Sequence, residues 1–210
     1  MLTLYDCATA PSPRRARILL AEKGVAHATV AVDLRAGDQL GEAYRAINPQ
    51  CTVPALRLDD GQVLGDNAAI AAWLEAQFPD PPLLGTTPLA KAEIASWNWR
   101  AEFEGLLAVA EALRNSAPAL KERALTGPVG YPQIPELAAR GLARVQQFFE
   151  LLNARLAGRE TLAADGFSIA DITAVVAVDF ARAVRLKPGE AHPHLLRWRA
   201  AMAQRPSMAL

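Results

Sequence analysis

The sequence predicts an α/β domain followed by an all-helical domain. Up to about residue 78, short apolar runs alternate with helical patterns in the order strand, helix, strand and then strand, strand, helix. The run Phe78–Pro82 (Phe-Pro-Asp-Pro-Pro) breaks all periodicity, so we predict domains spanning 1–80 and 81–210. Beyond this break apolar residues recur only at helical spacing, which favours a helical bundle.

The first half of the N-terminal domain has a strand–helix–strand pattern. Strands are predicted over Leu2–Tyr5 and His27–Val32, with a helix over Pro13–Lys23 that Gly24 closes. Ser12, directly before a proline, is typical of a helix N-cap. The connection between the strands is long enough for a parallel crossover.

The second half of this domain ends in a hairpin and a helix. A short helix is predicted over Leu40–Ile47, strands over Ala55–Leu58 and Gln62–Leu64, and a last helix over Asn67–Gln77. The Asp-Gly pair at 60–61 predicts a tight turn that makes the two strands antiparallel. Parallel and antiparallel strands in this order form the thioredoxin-like pattern.

The Val53-Pro54 pair stands at the entrance of a strand. Because proline cannot donate to a sheet ladder, we predict a bend with a cis bond that leaves the Val53 main chain free to pair with a peptide. Asp66 and Asn67 directly precede the apolar stripe of the last helix, and a helix start attracts anions. A peptide-pairing edge and an anion-attracting helix start are therefore predicted one hairpin apart.

The predicted helical domain carries one recognisable folding signal. Ser168 and Asp171 form an S-x-x-D capping box ahead of the apolar run Ile169–Val178. Helical spacing also relates two larger sets of apolar residues, namely Leu137, Leu142, Val145, Phe149, Leu152 and Leu156, and Leu195, Trp198 and Met202.

Composition restricts the class of protein. Lys plus Arg equals Asp plus Glu at 22 each, so no overall field favours nucleic acid or an anionic membrane. The apolar run at 169–178 is shorter than the roughly 20 residues of a membrane span. Cys7 and Cys51, the only cysteines, fit a reducing compartment, with a disulfide between them as the alternative. We expect a cytoplasmic protein without nucleic-acid or membrane partners.

The order of these pieces resembles the cytosolic glutathione transferase family. Leu2–Tyr5, Pro11–Pro13 and Arg17–Gly24 are similar to its first strand, active-site loop and first helix, and Gly166–Asp171 resembles the helix-start motif of its second domain. Together with Asn48–Asn67 the resemblance covers nearly the whole chain. It implies a homodimer whose first domain binds glutathione and whose second offers an apolar pocket to a small hydrophobic electrophile.

This chemistry requires groups that hold the glutathione thiol as a thiolate near neutral pH, whereas an unperturbed thiol titrates near about 8.5. Ser12, and after it Thr9, are the catalytic candidates, because both hydroxyls precede a helix whose dipole favours an anion. The alternative for Ser12 is a helix cap alone. Cys7 could form a mixed disulfide with glutathione, with a packed thiol as the alternative. Tyr5 is interpreted as a packing residue.

The resemblance also implies the glutathione contacts. Val53 would pair its main chain with the cysteinyl residue, Asp66 would accept from the γ-glutamyl ammonium, and Asn67, as N-cap, would face the γ-glutamyl carboxylate. A plain helix cap is the alternative for the last two. Thr52 stands where the family frequently has Gln, so the glycine carboxylate would rely on Arg35, on Gln39 or on no specific partner. Cys51 stands where the family often has Gly. The predicted binding residues are Thr52, Val53, Pro54, Asp66, Asn67 and Gln39.

For the second substrate, Trp99 and Phe103 are the candidate pocket residues, with core or dimer packing as the alternative. The histidines have no Cys or carboxylate at ligand spacing, so we expect no metal. Two other functions are weighed: a glutathione-dependent disulfide reductase or peroxidase, and a non-catalytic binding or regulatory module similar to stringent starvation and translation-factor relatives.

Overall fold

The computed structural model describes residues 1–164 and 166–210, which divide into two compact units. The first unit contains Met1–Pro81 together with Leu125–Gly130 and Leu210, and the second contains Pro82–Ala124 and Tyr131–Ala209. The sequence did not indicate that 125–130 would join the first unit. The division into folding domains at residue 80 stays a prediction.

The first unit is built on a four-stranded sheet in the order β2-β1-β3-β4. The strands are β1 (Thr3–Asp6), β2 (Ala28–Ala31), β3 (Ala55–Arg57) and β4 (Val63–Leu64). β1 pairs in parallel with β2 and antiparallel with β3, which pairs antiparallel with β4. The predicted thioredoxin-like arrangement is therefore confirmed.

The helix after β1 begins earlier than the sequence predicted. This helix, α1, spans Pro11–Glu22 with Ala10 as its N-cap residue, and Ser12 lies inside its first turn. The N-cap role predicted for Ser12 is therefore wrong, because Pro11 takes the first helical position, where its fixed φ and missing N–H are tolerated. Gly24 closes the helix as predicted, with a left-handed φ of +63°.

The short helix predicted over Leu40–Ile47 is instead two pieces. A 3₁₀ turn spans Asp38–Leu40 and helix α2 spans Glu42–Arg45. Gly41 between them has φ −69° and ψ 155°, an extended conformation that no helix can continue through.

The helix α3 (Asn67–Gln77) has the predicted bounds, but Asp66 is its N-cap residue. The N-cap role predicted for Asn67 is wrong, since Asn67 is the first helical residue. At the other end, the buried Lys23 ammonium donates to the Glu75 carboxylate at 2.6 Å and to the Phe78 carbonyl at 2.7 Å. This lysine, which directly follows α1, ties the end of α1 to the end of α3.

The second unit is helical, as predicted. Its helices are α4 (Pro88–Arg100), α5 (Leu107–Arg114), α6 (Pro135–Arg155), α7 (Ile169–Phe180) and α8 (Pro193–Met202), and a π-helical segment at Ala101–Leu106 joins α4 to α5. The predicted Ser168–Asp171 capping box is present at the start of α7, whose residues 169–178 are all buried. In the part of the chain that is described, no helix combines the length and apolarity needed to cross a bilayer.

Candidate functional site

Three segments of the first unit meet at one edge of its sheet. Tyr5 near the end of β1 pairs with Ala55 at the start of β3. Leu64 at the end of β4 pairs with Leu56, also near the start of β3. The loop after β1, the turn before β3 and the start of α3 after β4 therefore lie along the same edge.

The turn before β3 is held from beneath by two buried donors. Val53-Pro54 is a cis peptide bond, as predicted. The Tyr44 hydroxyl donates to the Thr52 carbonyl at 2.6 Å, and the Asn48 side-chain amide donates to the same oxygen at 2.9 Å. Burial is the main cause that raises the pKa of Tyr44 to about 12, so this hydroxyl stays a donor at neutral pH. The Thr52 carbonyl is thus fixed toward the interior.

The same Asn48 side chain connects this turn to the segment ahead of α3. Its amide nitrogen lies 3.5 Å from the Gly65 carbonyl, and its oxygen accepts from the Gln50 N–H at 3.1 Å. A Cβ at Gly65 would stand 3.2 Å from the Asn48 amide oxygen, so the close approach depends on glycine at this position. Cys51 in the intervening loop has a left-handed φ of +55°, the conformation glycine adopts at low cost.

The loop between β1 and α1 is anchored by Arg17. Its guanidinium donates to the Asp6 carboxylate at 2.5 Å, to the Ala8 carbonyl at 3.1 Å and to the Cys7 carbonyl at 3.4 Å. Thr9 in this loop is exposed, and its hydroxyl oxygen lies 3.7 Å from the Cys7 sulfur. The loop that carries one catalytic candidate is therefore tied at several points to the second turn of α1.

The first turn of α1 is poor in main-chain donors. Pro11 and Pro13 have no N–H, so Ser12 contributes the only main-chain N–H among the first three helical residues, together with its hydroxyl. The Ser12 carbonyl accepts from the Asn67 side-chain amide at 3.1 Å. This bond places the first turn of α1 beside the first turn of α3.

At the start of α3, Asp66 performs the capping. One of its carboxylate oxygens accepts from the Ala69 N–H at 2.8 Å, and its carbonyl accepts from the Ile70 N–H at 3.1 Å. The N–H groups of Asn67 and Ala68 precede the first intrahelical hydrogen bond and point out of the helix end. Two main-chain donors and a partial positive charge are therefore offered to an anion here.

The residues predicted for the glycine end differ in their surroundings. The Thr52 hydroxyl oxygen is 3.3 Å from the Asn48 amide nitrogen. Gln39 lies in the 3₁₀ turn, and its side-chain oxygen is buried and has no hydrogen-bond partner among residues 1–164 and 166–210. Arg35 is exposed. The Gln39 side-chain oxygen is thus a buried acceptor without a donor in the described part of the chain.

In the second unit, Trp99 and Phe103 form an exposed aromatic pair. Their rings are stacked with centroids 4.9 Å apart and planes at 11°, and the two residues are 58% and 45% exposed. The Arg144 guanidinium lies 4.9 Å from the centre of the Phe103 ring. Their exposure excludes the interpretation of these two residues as core.

Sequence reasoning missed three side chains that support the site, namely Arg17, Tyr44 and Asn48. Each donates to main-chain carbonyls, which leave no spacing pattern, and Arg17 pairs in addition with the Asp6 carboxylate. The Asn-Pro pair at 48–49 is typical of a turn, a signal that our predictions did not use and that does not indicate what the asparagine side chain contacts. Among the described residues, no three His, Cys, Asp or Glu side chains are grouped so that they could hold a metal ion.

Two family models match the chain. The model of the glutathione S-transferase N-terminal domain matches residues 9–77, and that of the glutathione S-transferase C-terminal domain matches residues 110–206. Glutathione S-transferase 2 of Saccharomyces cerevisiae is 34% identical over 210 residues, which cover 99% of this chain and 88% of the yeast protein.

Solved structures give the same result. A glutathione S-transferase domain-containing protein of Marinobacter aquaeolei is 37% identical, with a TM-score of 0.89 over 98% of this chain and 99% of that one. Gtt2 of Saccharomyces cerevisiae is 34% identical, also with a TM-score of 0.89, over 99% of this chain and 98% of that one.

Proposed function

Since this chain belongs to the glutathione S-transferase family, we propose that it conjugates the thiolate of glutathione to small electrophilic hydrophobic compounds. The observation that carries the proposal is the meeting, at one sheet edge, of the Val53-Pro54 turn with the first turns of α1 and α3. In the reaction the thiol proton goes to solvent, the sulfur bonds to the electrophilic carbon, and any leaving group departs with its electron pair.

The γ-glutamyl end binds at the start of α3. Its carboxylate accepts from the N–H groups of Asn67 and Ala68, where the helix dipole favours negative charge. Its ammonium donates to the Asp66 carboxylate, which keeps acceptor capacity beyond the bond to the Ala69 N–H. Capping and ligand binding are thus compatible roles for Asp66.

The cysteinyl residue pairs with the main chain of Val53. The register of β1 with β3 begins at Ala55, so the Val53 N–H lies outside that ladder. The glycine end extends toward Thr52 and Gln39, and of the Gln39 amide only the nitrogen can donate to the glycine carboxylate, because the buried oxygen is an acceptor. Because Pro54 has no N–H, the main-chain pairing with glutathione cannot continue past Val53.

The glutathione sulfur lies at the first turn of α1. There Ser12 stabilises the thiolate, with Thr9 as the second candidate for this role. Ser12 offers a hydroxyl and a main-chain N–H, and its hydroxyl is not used to cap the helix. Hydrogen bonds to an ionised acceptor are roughly twice as strong as neutral ones. One such bond, with the helix dipole, favours the thiolate over the thiol.

The helical unit supplies the electrophile's contacts through Trp99 and Phe103, whose exposed rings offer an apolar face. We expect a cytoplasmic homodimer, in line with the family resemblance and with Cys7 and Cys51, both of which are free thiols.

A thermal-shift titration with glutathione, followed by an absorbance assay with 1-chloro-2,4-dinitrobenzene, tests this function. Binding to the native state at 100 times Kd stabilises it by about 2.7 kcal/mol, so the melting temperature rises with glutathione concentration. Conjugate formation above the uncatalysed rate is the expected second result. A melting temperature that glutathione does not move overturns the proposal, and binding without conjugation favours a non-catalytic module.

A glutathione-dependent reductase is the second candidate, because Cys7 is partly exposed in the loop ahead of α1. In that reaction the Cys7 thiolate attacks the glutathionyl sulfur of a mixed disulfide, the other sulfur leaves as a thiolate that takes up a proton, and Cys7 becomes glutathionylated. A free glutathione thiolate then attacks the glutathionyl sulfur on Cys7, which breaks the bond to Cys7, restores its thiolate and forms glutathione disulfide, so that glutathione is the reductant. Reduction of a glutathionylated peptide that is lost in Cys7→Ser, with conjugation intact, would establish this activity.

A further inference from the structure

We infer that Tyr44 and Asn48 are positioning residues that aim the Val53 N–H at bound glutathione, an inference that rests on the proposed function. Both side chains donate to the Thr52 carbonyl, at 2.6 and 2.9 Å. Neither is assigned a contact with glutathione. Their effect on binding passes through the Thr52–Val53 peptide.

The planarity of the Thr52–Val53 peptide bond sets the direction of the Val53 N–H. In a trans peptide the C=O and the N–H of the next residue point in opposite directions. With the Thr52 carbonyl held inward by two donors, the Val53 N–H of the same peptide points outward, away from Tyr44 and Asn48. That N–H is the donor that the cysteinyl carbonyl of glutathione would accept from.

The burial of Tyr44 and Asn48 keeps their hydrogen bonds to the Thr52 carbonyl in place. Tyr44 and Asn48 are only 6% and 3% exposed, so water competes little for the Thr52 carbonyl. The Tyr44 ring is fixed in a core cluster with Tyr5, Val32 and Ala55. The Asn48 oxygen is occupied by the Gln50 N–H, which sets which way the amide faces. Both donors are thus rigid, and the peptide they hold has one orientation.

Asn48 also links the Thr52–Val53 peptide to the segment directly ahead of α3. Its amide nitrogen also faces the Gly65 carbonyl at 3.5 Å, directly ahead of the Asp66 cap. Asn48 therefore sets the distance between the Val53 edge and the start of α3, which bind neighbouring parts of one tripeptide. Gly65→Ala, whose Cβ would stand 3.2 Å from the Asn48 amide oxygen, should disturb this spacing without removing a donor.

The test compares Tyr44→Phe with Tyr5→Phe. Each variant removes one hydroxyl from the same buried cluster, in which the centres of the two rings are 6.0 Å apart. Of the two tyrosines, only Tyr44 donates to the Thr52 carbonyl. Calorimetry should show the glutathione Kd of Tyr44→Phe raised about threefold to tenfold, the range for one net hydrogen bond, and that of Tyr5→Phe unchanged. Asn48→Ala, measured at a temperature where circular dichroism shows it folded, should raise Kd at least as much.

Kinetics and a modified ligand separate positioning from a general loss of structure. The KM for glutathione should rise in Tyr44→Phe while kcat and the thiolate pKa of the complex stay unchanged, since the sulfur lies at α1. With a glutathione analogue whose cysteinyl carbonyl is reduced to a methylene, wild type and Tyr44→Phe should bind equally. An unchanged Kd for glutathione in Tyr44→Phe, or an equal loss with the analogue, overturns the inference. If the wild type itself does not bind glutathione, the proposed function fails and this role fails with it.

Discussion

The side-chain amide nitrogen of Asn67 lies 3.1 Å from the main-chain oxygen of Ser12, which joins the first turns of α3 and α1. Lys23 joins the other ends of the same helices through Glu75 and the Phe78 carbonyl. The two helix starts therefore keep a fixed separation, and each presents its partial positive charge toward the same sheet edge. A ligand with a carboxylate and a thiolate at matching separation would use both.

Asn67→Ala should weaken glutathione binding by about 0.5 to 1.5 kcal/mol, the net contribution of one neutral hydrogen bond, because the side-chain bond to the Ser12 carbonyl is lost while the main-chain N–H groups remain. The variant removes the bond to Ser12 and loosens the first turn of α3, where the γ-glutamyl carboxylate is expected. Asn67→Asp, of equal size, should weaken binding further because its charge faces both the Ser12 carbonyl and the ligand carboxylate. An unchanged calorimetric Kd in Asn67→Ala would mean that the side-chain bond to Ser12 does not position the start of α3 for binding.

Ser12→Ala should shift the thiolate titration of the glutathione complex to higher pH, followed by ultraviolet absorbance. Each unit of pKa corresponds to about 1.4 kcal/mol of preference for thiolate over thiol, within reach of one charge-assisted hydrogen bond. Because Ala10 and not Ser12 is the N-cap residue, the free energy of unfolding should change by less than about 0.5 kcal/mol. A titration that moves in Thr9→Ala and not in Ser12→Ala would transfer the role to Thr9.

The sequence predicted the bounds of a helix where one local signal marked its start. It failed where two neighbouring residues were equally acceptable at that start. The bounds of α3 followed from the polar pair ahead of its apolar stripe, although Asp66 and not Asn67 is the cap. The start of α1 was missed because Pro11 and Pro13 are both acceptable in a first helical turn. Only the packed fold selects between them.

The same limit applies to the site. Val53 and Pro54 were predicted because proline has a fixed local meaning in a strand. Tyr44 and Asn48 were not, because their partner is the Thr52 carbonyl, which every residue type possesses. A side chain that acts on the main chain becomes visible only when folding brings the two together.

Gly141→Ala should destabilise the helical unit by about 1 to 3 kcal/mol, the usual cost of overpacking, even though alanine favours helices. A Cβ at Gly141 in α6 would lie 2.6 Å from the Ala112 nitrogen and 2.8 Å from the Ala108 oxygen in α5, and main-chain atoms cannot rotate away. Gly189→Ala is the matched control, since a Cβ there meets nothing within 4 Å. Urea denaturation with equal midpoints for the two variants would contradict the expectation.

Asp171 should make stability fall as pH rises from about 4 to about 6. Burial raises its pKa to about 6, against the opposing effect of hydrogen bonds from the Leu162 and Ser168 N–H groups, the Ser168 hydroxyl and the Trp198 indole.

An unfolded Asp titrates near about 3.9, so in this window the folded chain binds more protons than the unfolded chain and loses stability as pH increases. Asp171→Asn removes this titration, and the free energy of unfolding of the wild type minus that of the variant should fall by up to about 3 kcal/mol across the window. Trp198→Phe removes one donor to the carboxylate and should move the window to higher pH. A difference between wild type and Asp171→Asn that does not depend on pH would show that the hydrogen bonds fully offset burial.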